Sequence, residues 1–160
     1  MRMSHPKELL DQIEELNNLG SFENEIFDFM LRCLDRFKSK LPISMRQELE
    51  LAKKFRLGET SEAELKLSRH RVWKFINENN NQLGSKKVSL LRALIFTLYP
   101  AVEPDSNAFE WVHWFIDFSN KCTPMERFQY QLISEIFSEQ LKTHNRRCSI
   151  VTASPPLDSL

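Results

Sequence analysis

Apolar residues along this chain recur at positions i, i+3, i+4 and i+7 and seldom alternate with polar ones. That spacing is the period of an α-helix, and three glycines in 160 residues leave few tight turns for a β-sheet. The pattern therefore predicts an all-α fold, a single-domain bundle of about seven helices. We expect residues 1–145 to form the helical domain. Residues 146–160 lack an apolar period and contain two adjacent prolines, which predicts an irregular C-terminal tail.

Capping residues indicate where several helices begin and end. Ser44 and Ser61 each stand three residues before a glutamine or glutamate, which is the spacing of a capping box. Gly58 is placed to end the third helix, because glycine readily adopts the left-handed conformation found at such ends. Residues 77–85, NENNNQLGS, predict a polar loop in the middle of the chain.

Two consecutive segments are apolar around most of the helix circumference. Residues 88–102 contain Arg92 as their only charge, and residues 108–118 read AFEWVHWFIDF. We expect these segments to be two central apolar helices of the bundle, with Trp114 and Phe115 in its core. A buried arginine is costly without a partner. We therefore expect Arg92 to pair with the acidic residues of the next helix, or otherwise to line a cleft that binds an anionic ligand.

A narrow polar stripe on the second of these helices raises the question of a metal site. Glu110 and His113 have the Glu-x-x-His spacing of di-iron helix bundles, and Asp117 lies one turn further along. The motif occurs once, whereas a di-iron site needs it twice together with two further glutamates. The sequence therefore favours a core helix with one polar stripe and no cofactor, and a helical-bundle metalloenzyme is the alternative.

Motifs that carry enzyme chemistry are missing from the sequence. It contains no nucleophile elbow, P-loop, dinucleotide-binding glycine motif, zinc-protease motif or paired cysteines. Cys33 shares the apolar face of its helix with phenylalanines, which predicts a small core residue. Cys148 lies beside Arg146 and Arg147, a context that lowers a thiol pKa, but no base is placed next to it. We therefore expect that the protein is not an enzyme.

The overall charge and the cysteines bear on partner and compartment. Lys+Arg and Asp+Glu both total 22, so the formal net charge is +0 and no global field attracts nucleic acid or an anionic membrane. The three cysteines are widely spaced and odd in number, which favours a reducing compartment. The sequence shows no secretory signal, and its longest apolar run is too short for a membrane span. We expect a soluble, cytoplasmic protein whose partner is another protein.

Local charge singles out the fourth predicted helix as a partner-binding surface. From residue 66 to residue 87 there are six Lys/Arg and one acid, Glu78. An exposed tryptophan with basic neighbours is the composition of interface hot spots. The predicted partner-binding residues are Trp73, Lys74, His70, Arg69 and Lys66. The acidic loop AVEPDSN, which contains Glu103 and Asp105, is the alternative partner-binding surface.

A stretch in the first half of the chain resembles a known protein family. FENEIFDFMLRCLDRF is followed after a short gap by RQELELAKKFRLGETSEAEL, and the likeness extends over about residues 22–76. These segments resemble the mostly α-helical immunity proteins of bacterial polymorphic-toxin systems, in which an alanine-and-aromatic helix ends in Gly-Glu before the next helix begins. The best-matching residues are Gly58 and Glu59, followed by Arg32 and Ala52. Where that family is rich in alanine through its central helices, this chain has Phe, Leu and Trp.

The resemblance implies a protein-binding module that binds and neutralises a cognate, co-encoded bacterial toxin. A helical adaptor or regulatory protein with a different partner would share the fold and the absence of turnover. A metalloenzyme would instead retain iron or manganese after purification. Metal analysis separates the last hypothesis from the first two, and the identity of the neighbouring gene separates those two from each other.

Overall fold

The computed structural model describes residues 5–16, 22–102 and 107–142. Helices make up 84% of this part of the chain, and no strand occurs in it, which confirms the all-α prediction. The α-helices are α1 Pro6–Leu16, α2 Glu23–Arg36, α3 Arg46–Arg56, α4 Glu62–Phe96, α5 Ala108–Cys122 and α6 Glu126–Ile136. Short 3₁₀ turns at Lys38–Lys40 and Ile43–Met45 join α2 to α3. No helix within the described ranges combines the length and apolarity needed to cross a membrane.

α4 consists of two helical arms that fold back on each other at Gly84. In a continuous helix Trp73 and Arg92 would lie about 28 Å apart, at 1.5 Å per residue. The guanidinium of Arg92 nevertheless lies 5.9 Å from the centroid of the Trp73 ring. Gly84 has φ 77° and ψ 161°, a backbone conformation open essentially to glycine alone. The chain therefore reverses there, which divides α4 into a first arm (62–83) and a second arm (85–96).

The reversal corrects the predicted loop. Residues 77–83 are helical and extend the first arm, so the connection is a turn centred on one glycine rather than a loop over residues 77–85. Asparagine has a low helix propensity, but the cost per residue is small, and residues 77–83 extend a helix that has already formed, so each of them adds a backbone hydrogen bond. Counting the two arms of α4 separately, the described helices named above agree with the predicted number of about seven.

The end of α3 and the start of α4 follow from their capping residues. Gly58 has φ 75°; its N–H donates to the Phe55 carbonyl at 3.0 Å, and the N–H of Glu59 donates to the Lys54 carbonyl at 2.9 Å. This is the Schellman pattern that ends a helix with glycine. Ser61 then caps α4, since its Oγ accepts from the N–H of Glu64 at 3.2 Å.

The predicted cap at Ser44 is wrong. A 3₁₀ turn at Ile43–Met45 precedes α3, whose N-cap position is Met45 without a side-chain hydrogen bond. Ser44 lies inside this 3₁₀ turn and is therefore not at the N-cap position of α3. As a result, α3 begins one residue later than a capping box at Ser44 requires.

The core is built around α2, the second arm of α4, and α5. Phe29 of α2 and Phe115 of α5 are fully buried and meet edge to face at 5.9 Å between ring centroids. Leu90, Leu91 and Leu94 of the second arm are also completely buried. The two segments predicted to be central thus form much of the core, and α1 closes one side of it by burying Leu10 and Ile13 against α5 and α6.

A buried polar network fixes α6 against α5. The fully buried Gln129 donates from Nε2 to Oγ of Ser119 at 2.9 Å and accepts from Nδ2 of Asn120 at 2.7 Å. Asn120 also accepts from the N–H of Met125 at 2.7 Å, which stabilises the turn between the helices. Buried polar groups satisfied in this way define one register of packing, because any shift would leave them unpaired.

Candidate functional site

The first arm of α4 exposes most of the predicted partner-binding residues. Its buried side consists of Leu65, Ser68, Val72 and Ile76. The opposite side therefore faces outward, and the exposed residues there include Lys66, His70 and Lys74. Trp73 lies at the edge of that side and is 39% exposed. The arm thus presents three basic or titratable residues beside one accessible tryptophan.

Arg69, the fifth predicted residue, is engaged within the fold. Its Nη1 donates to the Leu98 carbonyl at 2.6 Å, and its guanidinium lies 4.4 Å from the centroid of the Tyr99 ring. Arg56 reaches the same connection from α3, donating from Nη1 to the Pro100 carbonyl at 3.1 Å and from Nη2 to the Tyr99 carbonyl. Both arginines satisfy carbonyls beyond the end of α4, so Arg69 is less accessible to a partner than its sequence position suggests.

Burial of Arg56 has an electrostatic consequence. Its guanidinium lies 3.5 Å from the centroid of the Phe27 ring, and loss of solvent lowers the pKa of Arg56 to about 10, partly offset by the charge of Glu23. The Glu23 carboxylate in turn accepts from the N–H of Val102. These contacts fix residues 98–102, beyond the end of α4, against α2, α3 and the first arm of α4.

The expected ion pair between Arg92 and the next helix is wrong, whereas its alternative role in binding an anionic ligand stays a prediction. Arg92 is exposed, and no carboxylate among the described residues forms an ion pair with it. Its guanidinium lies 5.9 Å from the Trp73 ring centroid and 5.7 Å from the Phe118 ring centroid. Both distances lie within the range of cation–π attraction. The helix is less enclosed than its composition indicates, because the first arm and α5 leave a strip of the second arm open to solvent.

Further aromatic contacts extend from Arg92 across α5. The Phe118 ring lies 5.9 Å from that of Phe96, and Phe96 lies 6.4 Å from Trp114. Lys121 adds a second cation, with Nζ 5.2 Å from the Phe118 ring centroid. We call this set the aromatic–cationic surface; it comprises Trp73, Arg92, Phe96, Trp114, Phe118 and Lys121. Residues from both arms of α4 and from α5 are thus joined into one surface.

Trp114 is a correction to the sequence analysis, which placed it in the core. It is 48% exposed, whereas Trp111, one turn earlier, is buried and packs at 5.0 Å against Phe96. Phe115 is fully buried, as predicted. The apolar arc of α5 is wider than the area that the neighbouring helices cover. Trp114 therefore remains partly in water, whereas Trp111 and Phe115 are covered.

The surroundings of the aromatic–cationic surface are basic. Lys86 and Lys87 of the second arm are exposed, and with Lys40 they lie close enough to Cys122 for their charges to lower its pKa. The larger effect on Cys122 is burial, which leaves the pKa of its thiol raised. A positive potential around exposed aromatic rings favours an acidic partner.

Two residues of the polar stripe of α5, His113 and Asp117, contact α1. Lys7 of α1 lies 2.6 Å from the Asp117 carboxylate, and Asp11 lies 3.7 Å from Nε2 of His113. Burial lowers the pKa of His113, and the charge of Lys7 adds to that effect. Glu110, the other half of the Glu-x-x-His motif, is exposed. No group of three or more His, Cys, Asp or Glu is placed to hold a metal within the described residues.

One buried charged site was missed by the sequence analysis. The carboxylate of Glu48 is 1% exposed; it accepts from Nε and Nη2 of Arg71 at 2.8 and 3.0 Å and from the Ser68 hydroxyl. This bidentate pair raises the pKa of Arg71 and ties α3 to α4. The sequence did contain a signal for this burial. Glu48 stands beside Leu49 and one turn before Ala52, and all three lie on the buried face of α3.

Several sequence predictions concern residues beyond the described part of the chain. Glu103 and Asp105, the alternative partner-binding residues, lie there, as do Cys148 and the tail 146–160. Cys33 is described and fully buried, and burial strongly raises its pKa, in agreement with its predicted place in the core.

Comparison with known proteins adds no functional constraint. No family model, no curated protein and no solved structure matches this chain. The aromatic–cationic surface and the packing that holds it are therefore the features of the molecule that bear on its function.

Proposed function

We propose that this chain is a protein-binding module that uses the aromatic–cationic surface to bind a protein partner. The observation that carries the proposal is that Trp73 and Trp114, from separate helices, are both substantially exposed on one surface and linked through Arg92, Phe118 and Phe96. Exposed aromatic residues lose favourable burial energy in the free protein and regain it in a complex. Tryptophan and arginine are also the residues most enriched among binding hot spots.

The resemblance to immunity proteins supplies the class of partner. In that proposal the chain acts in the cytoplasm, where it binds a co-encoded toxin and blocks it without turnover. Burial of Glu48 and Gln129 in hydrogen-bonded contacts supports a rigid scaffold, because each removes an alternative arrangement of the helices. A rigid surface loses little conformational freedom on binding, which favours high affinity. An adaptor or regulator would use the same surface on a partner other than a toxin.

The first experiment identifies the partner. The protein is co-expressed in a bacterial host with the product of the adjacent reading frame, and both growth and complex formation are measured. Rescue of growth together with a stable complex supports immunity. A stable complex with a product that has no toxic effect supports the adaptor alternative, and failure to bind the adjacent product contradicts the immunity proposal.

A second experiment locates the contact surface on that complex. Trp73→Ala with Lys74→Ala, and separately Trp114→Ala, should each weaken the complex by about 2 kcal/mol or more, the usual threshold for a hot spot. Ile43→Ala and Leu57→Ala are matched controls, because both residues are exposed, large and apolar but lie outside this surface. Isothermal titration gives the affinities. Full-strength binding by the tryptophan variants, with loss in a Glu103/Asp105 double variant, would move the interface to the acidic loop.

A further inference from the structure

Among the basic residues of the described chain, Arg92 stands apart in its contacts. Some exposed or half-exposed cations face carboxylates, as Lys7 does with Asp117 at 2.6 Å and Arg71 with Glu48 at 2.8 Å, whereas exposed cations such as Lys121 and Arg127 have no ion pair within the described ranges. Arg92 is exposed and lies between two aromatic rings, with no carboxylate paired to it within the described ranges. Its charge is therefore held in place but not neutralised.

We propose that Arg92 binds a carboxylate of the partner, and that the partner presents this acidic side chain next to an apolar one. The proposal rests on the proposed function, because it assigns the chemistry of the group that the same surface recognises. It makes Arg92, for which the sequence left open either an internal ion pair or a role in binding an anionic ligand, the central polar residue of the interface.

The arrangement of Arg92 suits a carboxylate for a geometric reason. An aromatic ring attracts the positive charge but is a weak hydrogen-bond acceptor, so the N–H donors of the guanidinium keep their capacity for a stronger partner. A carboxylate accepts two parallel N–H bonds from a guanidinium, which gives both energy and orientation. Trp73 and Phe118 restrict the side chain beforehand, so less rotational freedom is lost when the carboxylate arrives.

The neighbours of Arg92 define the rest of the partner's chemistry. Phe96 and Trp114 offer an apolar area on one side, at 6.4 Å between their ring centroids. Lys121 and the exposed Lys86 and Lys87 add positive charge on the same two elements. The partner that complements this pattern is an acidic protein segment with at least one aromatic or branched apolar side chain.

A single-stranded nucleic acid is a poorer match. Bases bind such surfaces by stacking on free aromatic faces. Here Arg92 lies within 6 Å of the ring centroids of both Trp73 and Phe118, where it competes for those faces. The formal net charge of +0 also gives no long-range attraction to phosphates. Binding of an oligonucleotide is kept as an outcome of the test.

The test uses the full chain and three polymers of known composition. These are a random copolymer of glutamate and tyrosine, polyglutamate, and oligothymidylate, each titrated at low ionic strength with tryptophan fluorescence as the readout. We expect the copolymer to bind with a Kd about tenfold lower than that of polyglutamate, because only the copolymer supplies both a carboxylate and an apolar group. Oligothymidylate should bind more weakly than the copolymer.

Variants assign the effect to the guanidinium. Arg92→Gln should raise the Kd for the copolymer by about tenfold, and Arg92→Lys should fall between Arg92→Gln and the unchanged protein, because lysine keeps the charge and loses the bidentate fork. Arg127→Gln is the matched control, since it makes the same change at an exposed arginine of α6 outside the surface. Because Arg92 is exposed, all variants should show unchanged urea unfolding curves.

Each contrary result has a distinct meaning. If Arg92→Gln binds the copolymer as the unchanged protein does while Trp114→Ala weakens it, the surface is correct and the carboxylate assignment is wrong. Tighter binding of oligothymidylate than of the copolymer, or no binding of the copolymer, overturns the proposed partner chemistry. The proposed function fails separately, if the tryptophan variants leave the complex with the adjacent gene product unchanged.

Discussion

Two neighbouring residues of α5, Trp114 and Phe115, show how one helix serves both the core and the surface. Phe115 is fully buried against Phe29 of α2, whereas Trp114 is 48% exposed. The sequence pattern treats both as core residues, because both fall in one wide apolar arc. Their difference in burial comes from how far the neighbouring helices extend around α5, which is a property of the whole bundle.

This contrast gives a prediction about stability. Phe115→Ala should lower the free energy of unfolding by about 3–5 kcal/mol, as expected for a large core side chain replaced by alanine. Trp114→Ala should cost less than half as much, because much of the side chain is already in water. Urea unfolding of both variants measures the difference. Equal losses would show that Trp114 is buried in solution and is not part of an open surface.

His113 gives a prediction about pH. Its pKa is lowered below the usual 6.5, first by burial, so the folded state binds its proton less readily than the unfolded state does. The unfolded chain therefore takes up more protons as pH falls below 6.5, and stability decreases in that window. We expect the melting temperature to fall less between pH 7.5 and 5 in His113→Gln than in the unchanged protein. Identical slopes would contradict the lowered pKa.

The buried pair of Glu48 and Arg71 predicts an asymmetric response to mutation. Arg71→Gln leaves a carboxylate that is 1% exposed without its cation, and should cost about 3–5 kcal/mol. Glu48→Gln should cost less, because Arg71 is 44% exposed and regains water. The double variant should recover part of the loss of Arg71→Gln, which a double-mutant cycle measures. Simple additivity would show that the two residues do not stabilise each other.

At the scale of elements, Gly84 determines how the aromatic–cationic surface is assembled. A Cβ added at Gly84 would meet no atom within 4 Å, so the obstacle to another residue is the backbone conformation itself. The turn brings the second arm back along the first, which places Arg92 beside Trp73. Without this turn the tryptophan and the arginine would be on distant parts of one long helix.

Gly84→Ala should therefore lower the free energy of unfolding by about 1–3 kcal/mol, the usual cost of a residue forced into a backbone region that only glycine occupies. Asn81→Ala is the control, because it is an exposed helical position in the same stretch where alanine is tolerated or favoured. Chemical denaturation of the two variants is the measurement. A neutral Gly84→Ala would mean that the arms do not reverse at this residue.

The elements themselves were largely predictable from the sequence, and their packing was not. Apolar period and capping chemistry predicted the helices, and Gly58 and Ser61 act as expected because their roles depend on a few adjacent residues. The exposure of Trp73 and of its basic neighbours on the first arm follows from the same apolar period. The exposure of Arg92 and the burial of Glu48 depend on which helices lie alongside, and periodicity on one helix carries no information about its neighbours.

At the scale of the whole molecule, the distribution of charged residues over the surface matters more for partner binding than the net charge does. The formal net charge is +0, yet basic residues collect around the aromatic–cationic surface on α4 and α5, and carboxylates such as Asp117 and Glu48 are paired elsewhere. A neutral protein with one basic, aromatic area has a weak tendency to bind polyanions in general and a local preference for one kind of partner.

The whole fold also gives a direct spectroscopic prediction. Far-UV circular dichroism should show well over half of the residues helical, since helices make up 84% of the described chain. The spectrum should be unchanged by reductant, because the described cysteines, Cys33 and Cys122, are free thiols. A spectrum dominated by strand would contradict the helical bundle and every residue placement based on it.

The reversal at Gly84 also bears on the order in which the chain folds. Trp73 and Arg92 are close in sequence, so the entropy lost in closing the segment between them is small compared with that of docking α1 onto α6 across most of the chain. Contacts of short sequence separation form fastest. We expect the two arms of α4 to pair early, before the N-terminal helix is in place. The contacts around Trp73 then form as part of the folding nucleus, before the bundle is complete.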